Sequence, residues 1–240
     1  MTDLSIIIPC RDEEENINII YENIIKKIEI ENYQIIFIND FSSDNTENKI
    51  KELSSKDKKI FLYNNIKKGL GGAIDLGLKK SLGNFITILM ADSADSIDDL
   101  NSYVKIMTEE KCDAVFGSRF ISGGKTVEYP LIKLIFNRFG NNLARLLFLS
   151  SYNDFTNSFK IYKKEVIKHF FPLVSEDFNI FLELPLKTIS RGFKFKIIPI
   201  KYYNRTVGTA KFKIKELGSR YLFTLLYCFI EKNLLNKKIK

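Results

Sequence analysis

Residues 60–92 read IFLYNNIKKGLGGAIDLGLKKSLGNFITILMAD. The apolar run at the start predicts a β-strand, GLGGAIDLGLKKSLG predicts a helix that opens on glycine, and NFITILMAD predicts a second strand ending in a carboxylate-bearing turn. A strand, a helix and a strand at this spacing are typical of a parallel βαβ unit.

The same alternation extends in both directions from this segment. SIIIP (5–9) and YQIIFIND (33–40) predict two earlier strands, and DAVFGSR (113–119) predicts a later one. We expect the four acids at 12–15 to begin a helix, because negative charge is favourable at a helix N-terminus. The prediction is an α/β fold with a Rossmann-like, mostly parallel central sheet flanked by helices, in one domain over 1–240.

The second half is less regular. FISGGKTVEYP (120–130) predicts a loop, 132–149 a long apolar helix, FNIFLELPLKTISRG (178–192) another helix, and KFKIIPIKYYNRT (194–206) a closing strand. The segments 132–149 and 216–240 mix large apolar residues with Lys and Arg. Each is predicted either to lie on an anionic membrane surface or to pack as an amphipathic core helix.

Composition excludes several classes of protein. The formal net charge is +8, from 37 Lys and Arg against 29 Asp and Glu, and His169 is the one histidine, so a clustered-histidine zinc site is excluded. Three cysteines without a CxxC pair favour reduced thiols in the cytosol. The N-terminus does not resemble a signal peptide, and the apolar stretch Tyr221–Ile230 is too short to span a membrane. Nucleic acid is not an expected partner, because no basic recognition helix is recognisable.

Candidate binding residues follow the predicted strands at the edge where ligands bind in open α/β sheets. They are Pro9, Arg11 and Glu13 after the first strand, Asp40 and Asp44 after the second, Gly69, Gly71 and Gly72 after the third, Asp92 and Asp95 after the fourth, and Arg119 after the fifth. We therefore expect them to form one rim.

Two of these groups suggest a chemistry. Asp92 and Asp95 are oxygen ligands of the kind that Mg²⁺ or Mn²⁺ prefers, although Asp95 could instead cap the following helix. The glycines would let backbone N–H groups approach a pyrophosphate, although a purely structural turn is the default interpretation of the glycines taken alone.

Seven segments then occur in an order that resembles glycosyltransferase family 2, in its dolichyl- or polyprenyl-phosphate mannosyl- and glucosyltransferase branch. They are SIIIPCRDEEEN (5–16), IIFINDFSSDNT (35–46), the stretch 69–92, AVFGSRFISGG (114–124), YNDFTNSFKIYKKEV (152–166), LELPLKTISRGFKFKIIPI (182–200) and NRTVGTAKFK (204–213). The resemblance extends from about Leu4 to Lys213.

The resemblance implies a GT-A fold, a nucleotide-sugar donor and Mg²⁺ or Mn²⁺ as cofactor. Pro9, Glu13, Asp40 and Gly71 match donor-binding positions, and we assign Arg11 to the same group. Asp92 matches the second carboxylate of the metal motif. The first falls on Met90, so either Asp95 or the diphosphate and water would complete the metal's ligands.

On the acceptor side, Arg119 and Lys133 match cations that hold a lipid phosphate, and Arg205 and Lys211 match cations near the diphosphate. Some of these could be ordinary surface charges. Asp154 matches an acid near the acceptor. A phosphate acceptor supplies its own nucleophile, whereas a sugar hydroxyl would need Asp154 or Glu183 as a base. Glu183 could instead be a buried structural acid.

The expected function is inverting transfer of a hexose from a UDP- or GDP-sugar to a polyprenyl phosphate at the cytoplasmic face of the membrane, by a peripheral enzyme. About 1–120 would bind the donor, about 121–215 the acceptor, and 216–240 would form an amphipathic helix. Two alternatives remain open: glycosylation of a saccharide hydroxyl, and a catalytically silent nucleotide-binding relative. A membrane-protein partner is also left open.

Overall fold

The computed structural model describes residues 2–127, 130–203 and 214–234. In chain order the strands are β1 (Leu4–Cys10), β2 (Tyr33–Asn39), β3 (Ile60–Asn64), β4 (Phe85–Ile88), β5 (Ala114–Ser118), β6 (Lys125–Val127), β7 (Lys160–Lys163), β8 (Phe195–Pro199) and β9 (Lys201–Tyr203). The helices are α1 (Ile17–Lys27), α2 (Thr46–Lys56), α3 (Leu70–Lys80), α4 (Ile97–Glu109), α5 (Leu131–Phe148), α6 (Lys164–Lys168), α7 (Ile180–Ser190) and α8 (Ile214–Leu234).

Seven of these strands form one sheet in the order β3-β2-β1-β4-β7-β5-β8. Strand β7 runs antiparallel to both of its neighbours, and the remaining pairs are parallel. The prediction of a Rossmann-like, mostly parallel sheet flanked by helices is confirmed.

The apolar runs explain why the central strands form. Every residue of β1 and β2 is buried, as expected of strands covered by helices on both faces. Alternate side chains point to opposite faces, so Ile7 and Ile36 enter one core with α3, α5, α7 and α8. Ile6 and Phe37 enter a second core with α1, α2 and α4.

Strand β7 was not predicted from the sequence, and the prediction of one continuous closing strand is wrong. The segment Phe195–Tyr203 divides at the buried residue Ile200 into β8, in the main sheet, and β9, which pairs with β6 in a second sheet. Strand β6 lies in the segment that was predicted to be a loop.

The predicted helix start at the four acids is also wrong, since α1 begins only at Ile17 and has no acid in its first turn. The C-terminal helix is present as α8, and residues 235–240 lie outside the described part of the chain. The proposed donor and acceptor halves remain a prediction, although strands from both hydrogen-bond within one sheet.

The sheet topology positions the site. Strands β1, β2, β4 and β5 are parallel to one another in direction, so their carboxyl ends meet at one edge of the sheet. Because β7 is antiparallel, the loop before it reaches that same edge, and Lys160 at its start pairs with Phe116 near the end of β5. Among the described helices, none combines the length and the apolar character of a membrane span.

Candidate active site

The acids after β1 fix the loop after β2. Asp12 Oδ1 accepts a hydrogen bond from Ser43 N at 2.7 Å, and Glu14 Oε2 accepts one from Asn45 N at 2.9 Å. In return, Glu14 N donates to Asp44 Oδ2 at 3.1 Å. The acidic run therefore joins two strand exits, which is a role that sequence periodicity could not reveal.

Glu13 and Pro9 lie at the same edge. Glu13 N donates to Thr46 Oγ1 at 2.8 Å, and Glu13 Oε2 accepts from Asn16 Nδ2 at 2.6 Å. Pro9 is buried in β1 opposite Ile38. Their assignment to the donor stays a prediction.

Asp40 connects the exit of β2 to the glycine turn that precedes α3. Its buried carboxylate accepts hydrogen bonds from Asn65 Nδ2 at 2.7 Å and from Gly69 N at 2.9 Å. Arg11 Nη1 lies 4.0 Å from Asp40 Oδ2. The structure thus brings Arg11, Asp40 and the glycine turn together, and it adds Asn65, which the sequence analysis did not identify.

The glycine turn requires glycine at two positions for different reasons. Gly69 has a φ of 121°, a conformation that other residues rarely adopt. A Cβ atom on Gly71 would collide with the carbonyl oxygen of Ser175. A cavity of about 540 Å³, lined in part by Gly71 and Ser175, opens beside the turn.

The loop after β4 carries the predicted metal ligands. Asp92 Oδ1 accepts from Ala94 N at 3.2 Å, and Ser93 adopts a left-handed conformation with a φ of 56°. Burial, with the charge of Asp92 added to it, raises the pKa of Asp95 to about 7. Ser96, and not Asp95, caps α4, since Ser96 Oγ accepts from Asp99 N at 3.2 Å.

This loop fits a hard cation. Asp95 Oδ2 and Ser93 Oγ are buried oxygens without a hydrogen-bond partner among the described residues, and a cation beside Asp92 would favour the ionised form of Asp95. Met90 instead packs against the apolar core. No group of three or more His, Cys, Asp or Glu side chains suited to a metal occurs in the described ranges, so substrate oxygens would complete the coordination.

Arg119 and Asp154 form a buried ion pair at the exit of β5. Arg119 Nε donates to Asp154 Oδ2 at 2.8 Å, Nη2 donates to Oδ1 at 2.7 Å, and the backbone N of Arg119 donates to Oδ2 at 3.0 Å. Arg119 is 7% exposed and Asp154 is fully buried. The phosphate-binding role of Arg119 stays a prediction, while Asp154 is already engaged by three donors.

Arg138, which the sequence analysis did not single out, joins α5 to the residues next to this ion pair. Its guanidinium lies 4.3 Å from the centre of the Phe120 ring, and its Nη1 donates to Asn153 O at 3.0 Å. Asn153 Nδ2 in turn donates to Phe120 O at 3.1 Å. Helix α5 therefore helps to position the residues on either side of the Arg119–Asp154 pair.

The other predicted residues divide into two groups. Lys133 lies on α5, and nothing is described of its side chain, while Arg205 and Lys211 lie outside the described residues. Glu183 is fully buried and pairs with Lys187 Nζ at 2.7 Å, which is the structural role that the sequence analysis allowed for. The ring of His169 packs beside Phe193.

Lys160 is a buried cation that the sequence analysis missed. Its Nζ donates to the carbonyl oxygens of Phe155, Asn157 and Phe181. Burial lowers the pKa of Lys160 to about 7, with Asp154 opposing that shift and Arg119 adding to it. A lysine within the short apolar run FKIY was the one available signal.

This pKa predicts how Lys160 affects stability. Between about pH 7 and pH 10 the unfolded chain keeps the proton, because the pKa of a free lysine is 10.5, whereas the folded protein loses it. The unfolded state then binds more protons, so the contribution of Lys160 to the unfolding free energy rises with pH. Below pH 7 both states are protonated, and the folded state carries the full cost of a buried charge.

We therefore expect the unfolding free energy of the native chain, minus that of Lys160→Met, to increase from pH 7 to pH 10 by up to about 1.4 kcal/mol per unit. Urea unfolding at several pH values measures this difference. Lys168→Met, at an exposed position on α6, is the control and should give a flat difference. A flat difference for Lys160→Met would contradict the lowered pKa.

Comparison with known proteins identifies the family of this chain. The model of the family described as "Glycosyl transferase family 2" matches residues 5–171, which is more than half of the chain. The chain belongs to glycosyl transferase family 2. The predicted resemblance is confirmed, and so is the prediction of an enzyme that is a glycosyltransferase.

Two curated relatives are similar over most of this chain. The "Dolichol-phosphate mannosyltransferase" of Pyrococcus furiosus is 26% identical over 227 residues, which cover 93% of this chain and 63% of that protein. The "Polyprenol monophosphomannose synthase" of Mycolicibacterium smegmatis is 25% identical over 232 residues, covering 90% of this chain and 86% of the relative. This chain thus spans less than two thirds of the length of the first relative.

A solved structure shows the same fold. Glucosyl-3-phosphoglycerate synthase from Mycobacterium tuberculosis, crystallised with Mn²⁺, uridine diphosphate and phosphoglyceric acid, superimposes with a TM-score of 0.72 at 16% identity. The superposition covers 95% of this chain and 78% of that one. The predicted GT-A fold is confirmed.

Proposed function

We propose that this glycosyltransferase moves a hexose from a UDP- or GDP-sugar to a polyprenyl phosphate at the cytoplasmic face of the membrane, where it binds peripherally. The names of the two curated relatives support a polyprenyl or dolichyl acceptor. The observation in this chain that carries the proposal is an apolar face of α5 that no described residue covers.

This face consists of large apolar side chains at helical spacing, each 59–69% exposed. They are Leu131, Ile132, Ile135, Phe136 and Phe139. Neighbouring large apolar residues of this kind mark interaction surfaces, and an amphipathic helix with cations beside its apolar face suits an anionic lipid surface. Because Arg138 joins the same helix to the residues next to the Arg119–Asp154 pair, a lipid acceptor entering along α5 would reach the strand-exit rim.

Helix α8 adds exposed apolar residues. Leu222, Phe223, Leu226 and Ile230 are each about half exposed. Lys232 Nζ donates to Phe148 O at 3.2 Å, which joins α8 to the end of α5. Transfer to a water-soluble saccharide would not require either helix to expose this much apolar surface.

The state of the carboxylates also favours a phosphate acceptor. A sugar hydroxyl needs a base, and both predicted bases are engaged: Asp154 by Arg119, and Glu183 by Lys187. A phosphate monoester is largely dianionic at neutral pH and needs no base. Its oxygen would form a bond to the anomeric carbon of the donor as the bond from that carbon to the nucleoside diphosphate breaks, with inversion.

The residues of the rim would then divide the work. Arg11, Asp40 and the glycine turn would hold the nucleotide, while Asp92 and Asp95 would hold Mg²⁺ or Mn²⁺. A bound divalent ion supplies charge neutralisation for the departing diphosphate. Arg119, with Lys133, would orient the acceptor phosphate, and Arg205 and Lys211 would neutralise the leaving group. Holding both substrates in line would supply much of the acceleration.

The test is transfer from radiolabelled UDP- and GDP-sugars to polyprenyl phosphate in detergent, with oligosaccharides as competing acceptors. We expect an acid-labile product that partitions into organic solvent. Product found only in the aqueous phase would contradict the lipid acceptor and favour the saccharide alternative.

The α5 face predicts a separate binding result. The double variant Phe136→Gln/Phe139→Gln should bind anionic lipid vesicles at least about tenfold more weakly. Each Phe side chain that moves from water into the membrane contributes ~1.5–3 kcal/mol to the binding free energy. Co-sedimentation with vesicles measures this. Ile19→Gln changes a half-exposed apolar residue on α1 and is the control. Equal vesicle binding by the double variant and this control would contradict membrane docking through α5.

A further inference from the structure

The loop of residues 174–177, called here the clasp, lies directly against the glycine turn. Gly71 N donates to Glu176 O at 3.0 Å. A Cβ atom on Gly69 would lie 2.6 Å from that same oxygen, and one on Gly71 would collide with Ser175 O. Backbone packs against backbone here with no side chain between them, so the position of the clasp determines the position of the turn.

Helix α7 holds the clasp from one side. The fully buried carboxylate of Glu183 accepts hydrogen bonds from Val174 N at 3.0 Å and from Ser175 N at 2.8 Å. Lys187, also fully buried, pairs with that carboxylate and donates to Phe170 O at 2.7 Å. Glu183 therefore holds the backbone of the clasp in place by accepting hydrogen bonds from it.

Helix α8 holds the clasp from the other side through Thr224. The fully buried Thr224 hydroxyl accepts a hydrogen bond from Asn179 Nδ2 at 2.9 Å and lies 3.4 Å from Ser175 Oγ. Asn179 Oδ1 accepts from Asp177 N at 3.1 Å, so one amide side chain joins α8 to the clasp backbone. Arg220, one turn earlier on α8, lies 3.9 Å from Glu176 Oε2.

We infer that Thr224 is a positioning residue for donor binding: through Asn179, Ser175 and Glu176 it sets the glycine turn, and so couples α8 to the nucleotide. This inference rests on the proposed function in one respect, that the glycine turn binds the donor. Without the Thr224 hydroxyl, the Asn179 amide and the Ser175 hydroxyl would lose a buried partner. The clasp would shift to regain partners, and Gly71 N would move with it.

The test compares two threonine-to-valine variants. Thr224→Val removes the connecting hydroxyl, whereas Thr188→Val removes an equally buried hydroxyl on α7 that bonds to Leu184 O within its own helix. We expect Thr224→Val to raise the Kd for UDP or GDP with Mn²⁺, and the KM for the donor, about threefold to tenfold. Its kcat and its KM for the acceptor should stay unchanged, and Thr188→Val should match the native chain in all four values.

Titration calorimetry and steady-state kinetics separate the outcomes. Equal nucleotide affinity in the two variants would overturn the inference and leave the proposed function intact. A native chain that binds neither UDP nor GDP would instead overturn the proposed function.

A second measurement needs no variant, which matters if Thr224→Val does not fold. Coupling between sites is reciprocal, so nucleotide binding to the native chain should slow amide hydrogen exchange in the clasp and in α8 around Thr224. Slowing confined to the glycine turn and the rim, with exchange in α8 unchanged, would overturn the inference.

Discussion

Replacing Asp92 with alanine is expected to lower kcat/KM for sugar transfer by ~10²–10³-fold and to abolish the stimulation of nucleotide binding by Mn²⁺. Asp92 follows β4 at the same edge of the sheet as the glycine turn. Asp95 lies in the same loop and has one buried oxygen without a hydrogen-bond partner among the described residues. Removing Asp92 would leave a cation with Asp95 as its one carboxylate in this loop. Charge on the departing diphosphate would then be poorly neutralised.

Asp98→Asn is the matched control, because Asp98 is an exposed carboxylate on α4 whose ion pair is with Lys27 on the surface. We expect it to keep native kinetics and metal dependence. Equal activity in Asp92→Ala and the native chain would contradict the metal site. Transfer by the native chain that depends on Mn²⁺ would exclude a catalytically silent relative.

The second large effect concerns the Arg119–Asp154 pair. Asp154→Ala should reduce the unfolding free energy by ~3–5 kcal/mol, because it leaves the Arg119 guanidinium buried without its counter-charge. Urea unfolding at constant pH measures the change. The double variant Arg119→Met/Asp154→Leu should recover much of this stability, because apolar residues of similar size can replace a buried ion pair.

Activity should not recover with stability. The double variant lacks the cation proposed to orient the acceptor phosphate, so its transfer to polyprenyl phosphate should stay low while nucleotide affinity is close to native. A stable double variant with native transfer would show that Arg119 serves folding alone. A double variant no more stable than Asp154→Ala would contradict the buried-pair account.

Much of the fold could be predicted from the sequence because strands β1 and β2 are buried on both faces. Such continuous apolar runs are typical of strands at the centre of a sheet that helices cover on both faces. Strand β7 could not be predicted in this way. It is short, it contains lysines, and its partners β4 and β5 are distant in the chain, so no local periodicity indicates it.

The candidate site could likewise be predicted only in part. Asp40, Gly71 and Asp92 could be found because each follows a strand, and position in the sheet predicts the common edge. Lys160, Asn65 and the clasp could not, because each depends on a hydrogen-bond partner that is distant in sequence. These partners are Phe181 O for Lys160, Asp40 Oδ1 for Asn65 and Gly71 N for the clasp. The pairing of Arg119 with Asp154 likewise requires the antiparallel strand that the sequence did not reveal.

The most direct test of the account is a crystal structure of this chain with Mn²⁺ and UDP or GDP, with the metal located by its anomalous signal. The account predicts one Mn²⁺ ion bound by Asp92, Asp95 and oxygens of the diphosphate, with the nucleotide against Asp40 and the glycine turn. A metal bound elsewhere, or a nucleotide away from this edge of the sheet, would contradict it.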